Sequence, residues 1–144
     1  MEELIESILE KKVSFNTRNP INTVSDLMEK LSKYGTLNEI KPMRVFASQH
    51  GEVIEGAFEV TRDFDSVSRA EVVVDYTSSE EKLTLEIRCF YKTIFKDTPE
   101  LFREYYLKEL RSPHLKETKK LAEKVMEEIK SIQKSRIKRV LFRG

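Results

Sequence analysis

Residues that could bind a metal ion are few and scattered in this 144-residue sequence. Neither His50 nor His114 has a cysteine or a second histidine at the short spacing typical of zinc sites. The Asp63-Phe64-Asp65 segment has the spacing of the first ligands of a calcium loop, but Ser68 stands where the loop needs glycine and Val74 where it needs glutamate. We therefore interpret the two aspartates as turn-capping residues, and we expect no metal and no cofactor.

The sequence contains no motif that dictates a catalytic reaction. Its glycines, at positions 35, 51, 56 and 144, do not cluster into a phosphate-binding loop. No serine, threonine or cysteine has a recognisable base beside it in sequence, although a triad assembled in space would leave no such trace. The single cysteine, Cys89, lies in an alternating apolar series, which favours a small buried hydrophobe over a reactive thiol. We assign no catalytic residue and favour a binding protein over an enzyme.

The residues best suited to binding are apolar and aromatic side chains on the inner side of the predicted sheet and of the last helix. Small-molecule pockets are mostly apolar with a few polar anchors, and two tyrosine hydroxyls could serve as anchors here. The same residues could equally pack against one another as a filled core, and the pattern does not distinguish the two. The predicted lining residues are Phe58, Val72, Val74, Tyr76, Leu85, Ile87, Tyr91, Val125, Met126 and Ile129.

The C-terminal end of the chain is basic, whereas the rest is acidic. Residues 1–97 carry 13 Lys and Arg against 18 Asp and Glu, and residues 98–144 carry 13 against 7. Such an asymmetry indicates a partner-binding surface. The alternative is that the basic residues form a solvated helix end, where their positive charge complements the helix dipole. The predicted basic patch lies in a C-terminal extension of about residues 130–144 and comprises Lys130, Lys134, Arg136, Lys138, Arg139 and Arg143.

Three kinds of partner could bind the basic patch: nucleic acid, an anionic membrane surface or a second copy of the chain. We favour the second copy, which would make the protein a homo-oligomer such as a homodimer. The predicted outer face of the sheet would supply the complementary acidic surface, formed by Glu55, Glu59, Glu71 and Asp75. An interaction module that binds nucleic acid or another subunit is thus the alternative function.

Two neighbouring stretches predict the sheet that would position these side chains. Within residues 69–77 and 82–92, apolar residues alternate with polar ones, as expected for strands with one buried and one exposed face. The short polar link at 78–81 makes them a hairpin. Segments 40–49 and 52–62 predict two more strands, and their closeness in sequence favours an antiparallel meander.

Helices are predicted before and after the meander. Apolar residues at positions 4, 5, 8 and 9 have helical spacing, and Thr23–Tyr34 is predicted as a helix capped by Thr23. Thr98-Pro99 and Ser112-Pro113 each predict a helix start, and the helix from Leu115 towards Val140 would be the longest element. The predicted fold class is therefore α+β, an antiparallel β-meander with one face covered by helices, including a long C-terminal helix.

Length and composition set limits on the rest. A chain of 144 residues can bury a core without disulfides, so we expect a single domain over residues 1–144. No apolar run is long enough to span a membrane, and the N-terminus carries acids where a signal peptide needs bases, which predicts a cytoplasmic protein. Charged residues make up 35% of the chain, a bias that resembles thermophile proteins.

The order of the predicted elements resembles that of the START-like helix-grip superfamily. A strand over Lys12–Thr17, a helix over Val24–Tyr34, the meander and the long last helix follow in that order between about Lys12 and Ile132. The resemblance is one of architecture, without a diagnostic residue motif. It implies that a curved sheet grips the last helix and that a lipid or other apolar ligand lies between them. We therefore hypothesise a non-enzymatic binding protein for an apolar small molecule or lipid.

Overall fold

The fold is an antiparallel sheet with helices on one face, and the predicted α+β class is confirmed. The computed structural model describes residues 2–49, 51–79 and 81–142, without the side chains of residues 48, 51 and 136–142. Within these ranges the strands are β1 (Glu2–Asn16), β2 (Thr36–Ser48), β3 (Gly51–Asp63), β4 (Ser68–Ser79) and β5 (Lys82–Phe95). The helices are α1 (Pro20–Leu31), α2 (Glu100–Tyr105) and α3 (Arg111–Phe142), with a 3₁₀ turn at Ser32–Tyr34 and a π turn at Tyr106–Leu110.

The strands of the described chain lie in the order β1-β5-β4-β3-β2, and every neighbouring pair is antiparallel. Strands β2 to β5 form the predicted meander. β1 pairs with β5 at the far side, so α1 carries the chain from one edge of the sheet to the other. β1 precedes α1 in the chain and β2 follows it, and these two strands form the edges of the sheet.

The buried face of the sheet has the alternation that the hairpin sequence predicts. Along β4 the even-numbered residues are buried, and along β5 the odd-numbered ones are buried. Val24 and Leu27 of α1 and Val125 and Ile129 of α3 join the same core cluster as these strand residues. The inner face is therefore covered by two helices, because apolar side chains on a strand face need a second layer to leave water.

The predicted helix over positions 4–9 is wrong, because this segment belongs to β1. The pairing of β1 with β5 shifts between Ser7 and Leu9, which leaves Ile8 as an extra residue in a β-bulge. Before the bulge, even-numbered residues stand opposite buried β5 positions, and after it odd-numbered ones do, as in the pairs Leu4–Thr93 and Leu9–Cys89. This change of phase brings Leu4, Ile8 and Leu9 to the inner face, and together with Ile5, which is 56% exposed opposite Lys92, they imitate the spacing of a helix.

The predicted cap of the first helix is also wrong. The helix begins at Pro20, and Asn19 is its N-cap, with the Asn19 side chain accepting a hydrogen bond from the Asn22 N–H at 3.2 Å. Thr23 lies inside the helix, where its hydroxyl donates to the Asn19 carbonyl at 3.0 Å. Proline at the first helical position, preceded by asparagine, is a favourable start that the prediction overlooked.

The two predicted C-terminal helices form one continuous helical segment, so the predicted start at Ser112-Pro113 is wrong. Pro113 lies near the start of α3, three residues after the end of the π turn at Leu110. The irregularity is the preceding π turn, which buries Tyr106, whereas Leu101 in α2 is 82% exposed. No described helix, α3 included, is long and apolar enough to cross a membrane.

Replacing Gly56 by alanine should destabilise the protein. A Cβ atom at Gly56 would lie 2.5 Å from the Cζ atom of Tyr76 and closer still to its hydroxyl oxygen, so the tyrosine ring would have to move. Overpacking of this kind costs roughly 1–3 kcal/mol. Urea unfolding of Gly56→Ala, Tyr76→Leu and the double variant measures the effect. If the alanine costs as much in the Tyr76→Leu background as in the wild type, the clash is not the cause.

The Cys89 thiol should be unreactive in the folded protein. It is buried on the inner face, and burial raises its pKa to about 12, so that the nucleophilic thiolate is scarce near pH 8. We expect a chromogenic disulfide reagent to label this cysteine only in denaturant. Rapid labelling of native protein at pH 8 would contradict the inward orientation of Cys89.

Candidate ligand-binding site

The predicted lining residues lie between the sheet and the helices, where they pack tightly. Nine of the ten are at most 2% exposed, and the exception, Met126, is half-buried. Tyr91 belongs to a smaller cluster with Phe95 and Tyr106, and the other lining residues belong to the main core. Of these ten side chains, Met126 is thus the one that contacts both the core and solvent.

A groove of about 450 Å³ lies between β1 and α3, and we call it the sheet–helix groove. Its apolar floor is formed by Ile8, Leu9, Ala122 and Met126. Ile8 is the residue of the β1 bulge, so the irregularity in the edge strand coincides with this opening. Sequence reasoning missed Ile8 and Leu9, because the helical spacing of the segment concealed the strand. The bulge itself left no signal beyond the change of phase.

The rim of the sheet–helix groove is charged. Lys119, Glu123, Glu127 and Lys130 follow one another along α3, with the two lysines at the ends and the two glutamates between them. The lysines lie roughly 16 Å apart along the axis at the helical rise of 1.5 Å per residue. Of the two members of the predicted basic patch whose side chains the structure describes, Lys130 lines this groove and Lys134 does not. An anionic group would therefore be favoured at either end of the groove and disfavoured at its middle.

A second cleft, of about 520 Å³, lies where β2 departs from β3. The pairing of β2 with β3 shifts on both sides of Lys41, and Pro42, without an N–H, follows directly. Tyr76 contributes to the cleft and occupies the space left by the missing side chain of Gly56. Burial, with a smaller contribution from Glu39, raises the pKa of Tyr76, so its hydroxyl stays protonated near neutral pH.

The charged groups around this second cleft are mostly satisfied within the protein. Glu55 lies 3.5 Å from Arg44, and Asp75 accepts a hydrogen bond from Arg88 at 2.9 Å. Lys41 has no ion-pair partner in the part of the chain that the structure describes. The cleft is therefore more polar than the sheet–helix groove and offers one unpaired cation.

A cluster of hydroxyl groups lies where the π turn meets the sheet. The Tyr106 hydroxyl contacts the Tyr91 hydroxyl and lies 3.0 Å from the Thr93 hydroxyl, and all three residues are buried. Burial raises the pKa of Tyr91, which keeps it neutral. These contacts give each buried hydroxyl a partner, as buried polar groups require. Tyr91, one of the two tyrosines predicted as ligand anchors, therefore holds the π turn.

Ser68, Asp65 and His114 adjoin this cluster and are the residue types of a catalytic triad, but their arrangement differs from one. Both Ser68 Oγ, at 3.3 Å, and Asp65 Oδ2, at 3.6 Å, face the same ring nitrogen, His114 Nδ1. A triad needs them on different nitrogens. Ser68 is buried, and its hydroxyl donates to Asp65 Oδ1 at 2.9 Å. The three side chains tie the start of α3 to the β3–β4 turn, which Asp65 caps by accepting from the Val67 and Ser68 N–H groups.

Glu128 joins α3 to the turn that follows α1. Its carboxylate lies 2.8 Å from the Lys33 ammonium group and accepts a hydrogen bond from the Tyr34 hydroxyl at 2.9 Å. The hydrogen bond from Lys33 is the largest cause that lowers the pKa of Glu128. The two helices that cover the sheet are thus fixed to each other near the middle of α3.

The basic patch can be located only in part. Lys130 and Lys134 are exposed on α3, whereas the side chains of Arg136, Lys138, Arg139 and Arg143 lie outside the described residues. The predicted acidic face is largely neutralised: Glu71 pairs with Arg69 at 2.9 Å, in addition to the pairs that Glu55 and Asp75 form. Among the described residues no group of three or more His, Cys, Asp or Glu side chains could hold a metal ion.

Comparisons with known proteins leave the function open. No protein-family model matches the chain, and no curated protein matches its sequence. The solved structure of an uncharacterized protein from Rhizobium leguminosarum is similar over 86% of this chain and 99% of that one, with 7% sequence identity and a TM-score of 0.26. This likeness is too weak to carry an argument about fold or function.

Replacing Glu128 by glutamine should remove a pH-dependent part of the stability. Because the pKa of Glu128 is lowered from its ordinary value of 4.5, its contribution is present above the unfolded-state pKa and is lost as pH falls through the folded-state pKa. The difference in unfolding free energy between wild type and Glu128→Gln should therefore be constant above about pH 5.5 and shrink below pH 4.5. Urea titrations across this range measure it, with the exposed Glu127→Gln as control. A difference independent of pH would contradict the assignment.

Proposed function

We propose that this chain is a non-enzymatic binding protein that holds an anionic amphiphile, a molecule with an apolar tail and an acidic head, in the sheet–helix groove. The observation that carries the proposal is the groove itself, about 450 Å³ of space between the sheet and the long C-terminal helix. This volume lies within the range of small-molecule sites. Its position agrees with the hypothesis drawn from the sequence, and Met126 is common to both.

The floor of the groove favours an apolar tail. Ile8 and Leu9 from β1 face Ala122 and Met126 from α3, so both walls are apolar at their base. The small Ala122 side chain leaves space on the helix side of the groove. The unbranched Met126 side chain can adapt its rotamer to different tails. Removing apolar surface from water contributes roughly 25 cal/mol per Å², which makes the tail the main source of affinity.

The rim favours an acidic head group at one end. Lys119 and Lys130 have no ion-pair partner in the part of the chain that the structure describes, so each could bind a carboxylate without losing an existing contact. Glu123 and Glu127 would repel the same group at the middle of the groove. The charge pattern thus fits an elongated ligand whose head lies at one lysine and whose tail follows the apolar floor.

Other parts of the sequence hypothesis stay predictions. They include kinship with the START-like helix-grip superfamily, a ligand held among the nine fully packed core residues, and a cytoplasmic location. The alternative function, an interaction module that binds nucleic acid or another subunit through the basic patch, also stays a prediction. A mobility-shift assay at low salt, with and without residues 130–144, would test the nucleic-acid version.

Binding of dodecanoate and dodecanol, measured by isothermal titration calorimetry, tests the proposed function. We expect both to bind, and dodecanoate to bind about two- to fivefold more tightly, the range of an exposed ion pair. The double variant Lys119→Gln/Lys130→Gln should abolish this preference, whereas Lys124→Gln, on another face of α3, should retain it. Absence of binding by either compound to the wild type would overturn the proposal.

A charge on the groove floor should abolish binding of both compounds. Met126→Glu places a carboxylate against the tail, and a buried unpaired charge is costly. Met28→Glu is the matched control, because Met28 is also half-buried and packs on the same core from α1, away from the groove. Circular dichroism of both variants shows whether they fold. Equal loss of binding in the two folded variants would mean that the groove is not the site.

A further inference from the structure

We propose that the free edge of β1 pairs antiparallel with the β1 edge of a second copy, joining two five-stranded sheets into one. This interface uses a different surface from the basic patch. It stands on the strand edge, its charges and its exposed apolar residues, so it does not depend on the proposed ligand.

β1 presents a long edge. It has 15 residues and pairs with β5 on one side, while its other side has no partner strand among the described residues. An unpaired edge carries N–H and C=O groups that can pair with another chain. The opposite edge, β2, is less suited, because two register shifts and Pro42 interrupt it. β1 is therefore the edge better able to accept a partner strand.

The charges of β1 are self-complementary in the antiparallel direction. Its first half carries Glu2, Glu3 and Glu6, and its second half carries Lys11 and Lys12 beside a single acid, Glu10. Antiparallel pairing of two copies places the acidic half of each beside the basic half of the other, whereas parallel pairing would place like charges together. Opposite charges across strands are stabilising and like charges destabilising. The sequence of this strand therefore favours one direction of pairing with itself.

The bulge selects the centre of the pairing. The side-chain phase of β1 changes at Ile8. A residue before the bulge in one copy therefore shares a face with a residue after the bulge in the other copy only when the two residue numbers add up to an odd number. Pairing centred between Ser7 and Ile8 satisfies this condition for residues 2–6 of one copy against residues 9–13 of the other, and it places Glu3 opposite Lys12 of the other copy. Both belong to the outer face, where Glu3 contacts Lys92 at 3.0 Å and Lys12 lies 4.0 Å from Glu86. The alternating row of charges on each outer face would then continue across the interface.

Exposed apolar residues support the same surface. Ile5 is 56% exposed and Leu4 is 37% exposed, although both lie in a strand. A partner strand alongside would cover part of each, which removes apolar area from water. The salt bridges themselves are exposed and contribute little free energy, so the hydrogen-bonded edge and this coverage are the main attraction.

Such a dimer would bring the two sheet–helix grooves together. The two-fold axis of an antiparallel strand pair stands perpendicular to the sheet, so both copies of α3 would lie on the same side of the joined sheet. Ile8 lies beside the axis, and it is also part of the groove floor. The grooves would then face one another across the axis.

Cysteine cross-linking tests the interface and its centre. Ser7 is exposed and lies beside the proposed axis, so Ser7→Cys should form a covalent dimer under mild oxidation. Ser14→Cys is the matched control, since Ser14 is exposed on the same strand but lies far from its copy. The buried Cys89 contributes no reactive thiol in the folded protein. Equal cross-linking of the two variants, or none for Ser7→Cys, would overturn the proposed pairing.

Charge exchange within one chain provides the second measurement. Lys12→Glu should weaken dimerisation, as measured by light scattering across concentration, by about two- to fivefold per exposed ion pair lost, of which the symmetric dimer has two. Glu3→Lys/Lys12→Glu restores opposite charges and should recover most of the loss, whereas Lys116→Glu on α3 should have no effect. A wild type that is monomeric at every concentration, or a double variant no better than Lys12→Glu, would overturn the proposal.

Discussion

The structure depends on covering one apolar face of an alternating sheet. The inner residues of β4 and β5 are fully buried, and helices α1 and α3 supply the second layer. Burial of each large aliphatic side chain contributes roughly 1.5–3 kcal/mol, whereas an exposed ion pair contributes at most about 1 kcal/mol. The many charges of this chain are therefore secondary to the contact between sheet and helices. Glu128, Lys33 and Tyr34 matter chiefly because they hold the two covering helices together.

The exposed face of the sheet follows a different rule. Its acids and bases alternate between neighbouring strands, so that Arg44 meets Glu55, Asp75 meets Arg88 and Glu3 meets Lys92. A surface that looks acidic when residues are counted along the sequence is nearly neutral when the strands are placed side by side. This arrangement weakens the case for the outer face as the receptor of a basic segment, and it directs attention to the strand edges.

Sequence periodicity predicted the central part of the fold and failed where the backbone is irregular. The hairpin of β4 and β5 and the inward series Ile54, Phe58 and Val60 of β3 were predictable, because each strand keeps one phase from end to end. The end of β1 was predicted as a strand over Lys12–Thr17, but its first half was missed because the bulge at Ile8 changes the phase within one strand. The π turn was missed because Ser112-Pro113 resembles a helix start, and no residue type marks a widened turn.

The candidate site was predictable in its location but not in its residues. A space between sheet and last helix follows from the architecture, and Met126 was predicted as a lining residue, whereas Lys130 was predicted only as part of the basic patch. The residues from β1 could not be identified while that strand was interpreted as a helix. The sequence pattern also could not distinguish a filled core from an open groove. Val125 and Met126 are neighbours in one apolar stripe, yet Val125 is buried in the core and Met126 borders the groove.

The π turn at Tyr106–Leu110 makes the length of this segment more important than its composition. A π turn holds one residue more than an α-helical turn, and each α-helical residue after it turns the chain by about 100°, so the loss or gain of one residue between the π turn and Leu121 would rotate everything that follows by that angle. Leu121, Val125 and Ile129 would then leave the sheet, and charged neighbours would take their places. Descendants of this chain should therefore vary in residue type at the exposed positions of the turn while conserving the residue count between the turn and Leu121, with insertions and deletions confined to segments that do not set the rotation of α3.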